Sequence, residues 1–132
     1  MGRYLLDSDA VIDFLGGVPG SVSLLQGLLD QGESLCVCDV VLAEVYSGLD
    51  PRVLGKANRL LRAYTFLPTE AGAAEQAGRW RYSFARRGVS LSTTDALIAA
   101  TAHSHKAAVV TGNVDHYPVD EVDVLPLPRV RR

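Results

Sequence analysis

The chain has 132 residues, 48% hydrophobic and 21% charged, with a formal net charge of −2 at pH 7. This length suits one domain with one core, and the charge does not mark the whole molecule as a nucleic-acid binder. No apolar run approaches the roughly 20 residues of a membrane span. Acids at Asp7, Asp9 and Asp13 argue against a secretory leader, so a cytoplasmic protein is expected.

Tyr4-Leu5-Leu6 is apolar without alternation, the pattern of a strand buried on both faces. It stops at Asp7-Ser8-Asp9, where Ser8 and Asp9 are good helix N-caps and a helical pattern begins. Asp7 therefore falls at the carboxyl end of the first strand, where open parallel sheets bind their ligands. Val22, Leu24, Leu25, Leu28 and Leu29 form a helical stripe over 21–31, stopped by Gly32. Residues 35–37 read as a second strand. Its Cys36 and Cys38 point to one face, too far apart for an easy bridge, and are expected to be reduced and buried.

Asp39 is placed to cap a helix over 40–49, which carries Glu44 among apolar neighbours. Asp50-Pro51 opens another helix that buries Leu54, Ala57, Leu60, Leu61 and Tyr64. A short edge strand over 65–67 precedes the longest helix, 69–87, with Ala73, Ala77, Trp80 and Phe84 on its packed side. Arg79, Arg81, Arg86 and Arg87 cluster near its end. Such residues suit a helix C-terminus, and they equally form a phosphate-contacting patch. Ser92 and Asp95 fit a Ser-x-x-Asp cap, and the helix they open is apolar on nearly every side over 96–102, hence buried. Strands over 107–110 and 122–125 complete the series; the first runs into Thr111-Gly112-Asn113, and a basic tail of Arg129, Arg131 and Arg132 ends the chain. Short apolar strands alternating with helices predict an α/β domain with a mainly parallel sheet.

Three acids stand out: Asp7 after strand one, Glu44 inside an apolar helix and Asp95 opening a buried one. Each has an ordinary reading as a turn, a solvated helix position or a cap. Taken together they are harder to explain, because a buried carboxylate alone is costly. The two lysines are Lys56 and Lys106, and most arginines lie in 79–87 or the tail, so basic partners are scarce. Acids that converge without them need a cation, and all-oxygen sites suit Mg²⁺ or Mn²⁺ acting on phosphate substrates.

Leu5-Leu6-Asp7-Ser8-Asp9, Val41-Leu42-Ala43-Glu44-Val45 with Gly48-Leu49, Thr94-Asp95-Ala96-Leu97-Ile98-Ala99-Ala100-Thr101-Ala102, and Val110-Thr111-Gly112-Asn113 resemble the successive motifs of PIN-domain ribonucleases. The VapC toxins of toxin–antitoxin pairs are the group most like it, and the resemblance covers nearly the whole chain. It implies one domain over 1–132, a PIN-like α/β/α sandwich with a mainly parallel central sheet. It also implies a Mg²⁺- or Mn²⁺-dependent endoribonuclease, neutralised by a VapB-type antitoxin and usually homodimeric. By position, Asp7 and Asp95 would ligate the metal and Glu44 would complete the cluster directly or through water. Ser8 and Thr111 would orient carboxylates or water.

The chain departs from the family at the fourth corner. Asn113 stands where an acid is common, and Asp115 lies two residues on. Asp115 is expected to supply the fourth charge to the metal through water, with Asn113 shaping the loop or contacting that water. Arg79, Arg86 and Arg87, with the tail, would give RNA the local positive potential that the net charge does not. Tyr82 and Tyr117 are candidates to stack on unpaired bases. Two rival readings are a catalytically silent PIN-like module that binds RNA or protein and a haloacid-dehalogenase-type phosphatase. The second shares Asp7-Ser8-Asp9 and Thr111, but its lysine should follow the threonine, and both lysines precede it.

Overall fold

The computed structural model describes residues 2–128. Five strands, β1 (Arg3–Leu6), β2 (Ser34–Cys38), β3 (Thr65–Leu67), β4 (Ala107–Thr111) and β5 (Val124–Pro126), form one sheet in the order β3-β2-β1-β4-β5. Every pairing is parallel. Six helices flank it: α1 (Ser8–Leu15), α2 (Pro19–Asp30), α3 (Asp39–Ser47), α4 (Leu54–Ala63), α5 (Ala71–Arg86) and α6 (Thr93–Ser104). Short 3-10 turns occupy Pro51–Val53 and Val114–His116.

The strand order positions the site. From β1 the chain moves outward through β2 to β3, then returns through α5 and α6 to place β4 on the other side of β1. The direction of winding reverses between β1 and β4, and the crevice at such a reversal is where α/β sheets hold ligands. Leu6 pairs with Val110, and the Asp7 N–H continues the ladder by donating to the Val110 carbonyl at 3.0 Å. Asp7 and Thr111 are therefore neighbours although 104 residues separate them.

The core runs through both layers. Leu5, Leu6, Val37, Val109 and Val110 fill the sheet, while Val11, Leu25, Val41, Val45 and Ile98 cover it, all essentially inaccessible to water. In α6, Ala96 and Ile98 through Ala102 are buried, as its apolar sequence predicts. Small residues let this helix lie close to both β4 and α5.

Element ends differ from the sequence reading where local chemistry was ambiguous. Asp7 itself caps α1, its carboxylate accepting from the Ser8 N–H. Asp39 is not a cap: Cys38 holds that position, and the Asp39 carboxylate instead accepts from the Thr69 hydroxyl at 2.6 Å, tying α3 to the entry of α5. Residues 69 and 70 are thus outside the longest helix, which starts at Ala71. The last strand begins at Val124, two residues later than expected. Gly32 and Gly88 follow α2 and α5 with φ of 81° and 76°, a backbone region that favours glycine. Cys36 and Cys38 are buried free thiols, and burial pushes Cys38 up to about 11.

Candidate active site

Asp7 is buried, with 6% of its surface exposed, and its carboxylate accepts three hydrogen bonds. Oδ1 accepts from the Ser8 N–H at 2.8 Å. Oδ2 accepts from the Thr111 hydroxyl at 2.9 Å and the Tyr117 hydroxyl at 2.8 Å. Thr111 Oγ1 in turn accepts from the Asn113 N–H at 3.0 Å, which leaves its single proton for Asp7. The residues after β4 thus fold back over the end of β1.

Asp9 sits in the first turn of α1 beside this point. Its Oδ2 accepts from the Gly112 N–H at 2.8 Å and from Asn113 Nδ2 at 3.3 Å, while Oδ1 is buried with no hydrogen-bond partner. Burial raises the Asp9 carboxyl above its ordinary range. The Gly112 N–H opposes that rise, and the Asp7 and Asp13 charges add to it.

Glu44 is raised for the same reason, burial first and then the charges of Asp7 and Asp95, with a hydrogen bond from the Ser8 side chain opposing. The Tyr117 phenol is pushed far up by burial, by the Asp7 charge and by its bond to Asp7, and Asp95 and Asp9 also act on it. These mutual influences gather Asp7, Asp9, Glu44 and Asp95 in one electrostatic environment. The charges that raise Asp9, Glu44 and Tyr117 are carboxylates.

Asp95 is held in the first turn of α6, where its N–H donates to the N-cap Ser92 hydroxyl at 3.1 Å. Its Oδ2 lies 3.5 Å from His116 Nδ1. Asp115 is exposed on the same 3-10 turn as His116. Together with Gly112, Asn113, Val114 and His116 it lines an open hollow of about 220 Å³.

The basic end of α5 lies at the same end of the molecule as Asp95. The α5–α6 pair is tied at one end by the Thr69 and Thr101 hydroxyls, 2.8 Å apart, and at the other by Arg81 Nε donating to the Leu91 carbonyl at 2.9 Å. The chain turns between Arg86 and Thr93, so the basic end of α5 adjoins the first turn of α6. Arg86 and Arg87 are exposed there, and Arg79 is exposed about two turns earlier in α5. Arg86 lies over the Tyr82 ring at 4.2 Å and Arg87 over the Phe84 ring at 4.3 Å. Tyr82 is 65% exposed, with Arg86 covering one face of its ring. Tyr117 is not open to stacking: it is 4% exposed and spends its hydroxyl on Asp7. Arg129, Arg131 and Arg132 lie outside the described residues.

A PIN-domain model matches residues 4–122. The chain belongs to the PIN-domain family. This PIN domain is 31% identical over 117 residues to the Mycobacterium tuberculosis protein named ribonuclease VapC19, covering 87% of this chain and 92% of that one. Its fold resembles VapBC2 from Rickettsia felis bound to a promoter DNA fragment, with a TM-score of 0.84 at 19% identity and 96% and 99% of the two chains covered. DNA-bound VapBC from Salmonella typhimurium gives a TM-score of 0.81 at 23% identity, covering 96% and 98%.

From sequence, Asp9 reads as a helix cap and as the second acid of the Asp7-Ser8-Asp9 motif, with no role assigned to it in the metal cluster. A signal for Asp9 exists in its two-residue spacing from Asp7, which brings both to the start of one helix. No such signal exists for the Tyr117 bond to Asp7, which bridges 110 residues. Neither lysine serves the acids of this PIN domain as the phosphatase reading requires: Lys56 Nζ donates to the Leu15 carbonyl, and Lys106 lies between α6 and β4.

The donors suit a hard divalent cation by kind: all are oxygens, and Asp9 Oδ1 is buried without a partner among the described residues. Among the described residues, no three His, Cys, Asp or Glu side chains close on one point as a ready-made set of ligands.

Proposed function

We propose that this chain is a VapC-type toxin, an endoribonuclease that hydrolyses RNA phosphodiester bonds with Mg²⁺ or Mn²⁺. In this reading it is paired with a VapB-type antitoxin and forms a homodimer. The observation that carries the proposal is the shared environment of Asp7, Asp9, Glu44 and Asp95 at the winding reversal of the sheet. Their mutual repulsion adds to burial in raising Glu44 and Asp9. The names of the relatives, ribonuclease VapC19 and the VapBC complexes, point the same way.

Asp7 and Asp95 would hold the ion, with Glu44 joining directly or through water and Asp115 reaching it through water. When bound, the ion supplies Lewis acidity and lowers the pKa of a water molecule. The remaining work belongs to the chain. Thr111 and Tyr117 fix the Asp7 rotamer, Ser8 orients Glu44, and the Asp9 contacts to Gly112 and Asn113 hold the loop that carries Asp115. Arg79, Arg86 and Arg87 engage backbone phosphates beside Asp95, which the net charge would otherwise repel.

The test is cleavage of RNA by purified protein free of antitoxin, with and without EDTA, alongside growth of cells expressing the chain alone or with its antitoxin. Metal-dependent cleavage and growth arrest relieved by the antitoxin are expected. Folded protein that cleaves no RNA at any Mg²⁺ or Mn²⁺ concentration would favour the silent module.

A further inference from the structure

We propose that Tyr117 is a positioning residue that leaves Asp7 a one-oxygen ligand, and that it thereby biases the acidic site toward Mg²⁺ or Mn²⁺ and against Ca²⁺. The proposal rests on the metal-binding reading above and extends it to selectivity.

Lone pairs on Asp7 set the limit. A carboxylate has about four acceptor positions, two on each oxygen. Asp7 Oδ2 takes the Thr111 proton at 2.9 Å and the Tyr117 proton at 2.8 Å, so both of its positions are filled. Neither donor is free to turn away. Thr111 Oγ1 is already an acceptor for the Asn113 N–H and has no other proton to give. Tyr117 is 4% exposed, and its buried hydroxyl has Asp7 Oδ2 as its acceptor at 2.8 Å. Oδ1 accepts only the Ser8 N–H at 2.8 Å, which leaves it one position. A cation meeting Asp7 in this arrangement meets a single oxygen.

That restriction discriminates between ions. Mg²⁺ demands near-ideal octahedral geometry and is served by single carboxylate oxygens and water. Ca²⁺ takes six to eight oxygens and readily uses both oxygens of one carboxylate. Thr111 alone would leave one Oδ2 position open. The Tyr117 hydroxyl fills it, so Tyr117 is the group that denies Ca²⁺ the two-oxygen approach.

Tyr117→Phe keeps the buried ring and removes only the hydroxyl. Calorimetric titration of wild type and variant with MgCl₂, MnCl₂ and CaCl₂, in the absence of RNA, reads the effect directly. The expected result is a shift of the Ca²⁺-to-Mg²⁺ affinity ratio toward Ca²⁺ by about tenfold, the low end of what an outer hydrogen-bonding partner controls. A purely structural role would weaken all three ions together, and an unchanged ratio overturns the proposal while leaving the metal site standing. Wild-type protein that binds none of the three ions overturns both. Should the variant fail to fold, a crystal of wild type with Mn²⁺ decides: ligation by Asp7 Oδ1 alone supports the proposal, and ligation through Oδ2 refutes it.

Discussion

Asp7→Asn and Asp95→Asn each remove one charge from the cluster, and each is expected to abolish cleavage, but they should differ in stability. Relief of like-charge repulsion by itself would make both variants more stable in metal-free buffer. At Asp7 the hydrogen bonds decide otherwise. Its carboxylate accepts from Ser8 N–H, Thr111 and Tyr117 with its surface 6% exposed, and an asparagine offers one oxygen and one NH₂ in that space. With the oxygen toward the hydroxyls, the NH₂ faces the Ser8 N–H. With the NH₂ toward the hydroxyls, the Thr111 proton has no acceptor. Losing a buried bond to a charged group costs about 1.5–3 kcal/mol. Allowing for charge relief, Asp7→Asn should lose about 2 kcal/mol, a fall in Tm of roughly 6–10 °C for a chain of this length. The Asp95 side chain is 21% exposed and is paired with a half-exposed His116 at 3.5 Å, an interaction of less than about 1 kcal/mol. Asp95→Asn should therefore melt at or above the wild-type temperature. Thermal and urea unfolding at pH 7 in EDTA, beside RNA cleavage assays, measure both effects. An Asp7→Asn variant at least as stable as wild type would refute the hydrogen-bond reasoning, and full cleavage by either variant would sink the site assignment.

Burial and neighbouring acids raise Glu44 and Asp9 in the folded chain, so between their ordinary and folded values the native state binds more protons than the unfolded state. Metal-free stability should then fall as pH rises through the window just above the ordinary carboxylate range. Urea midpoints of wild type, Asp9→Asn and Glu44→Gln across that range check this, and equal slopes for all three would contradict it. At the fourth corner, Asp115→Ala should raise the metal concentration needed for cleavage more than Asn113→Ala does; metal titrations of the two variants decide, and the reverse order would give the role to Asn113. Replacing Arg79, Arg86 and Arg87 by alanine should weaken RNA binding and flatten its salt dependence, by about 0.7 in log–log slope for each phosphate no longer neutralised. Binding measured on catalytically dead protein over a range of KCl tests that, and an unchanged slope would place the RNA elsewhere.

The sequence by itself determined the elements and their class. Unalternating apolar runs specify the strands of a sheet covered on both faces, and the apolar circumference of 96–102 specifies a buried α6, because burial is written into local hydrophobic pattern. Local context also marks Asp7, Glu44 and Asp95 as acids in apolar company, and motif order points to the PIN family. Helix starts are less legible: Asp39 looks like a cap, but its carboxylate has a partner in Thr69, 30 residues away. Only the tertiary structure decided which groups surround each acid. The winding reversal between β1 and β4 brings Thr111 and Tyr117 onto Asp7, and Gly112 and Asn113 onto Asp9. It turns Tyr117 from a candidate base-stacking residue into a buried donor and draws Asp9 into the cluster. Hydrophobic periodicity encodes what a residue faces, inside or out. Which donor meets which oxygen depends on loop closure across more than 100 residues, and no local pattern records it.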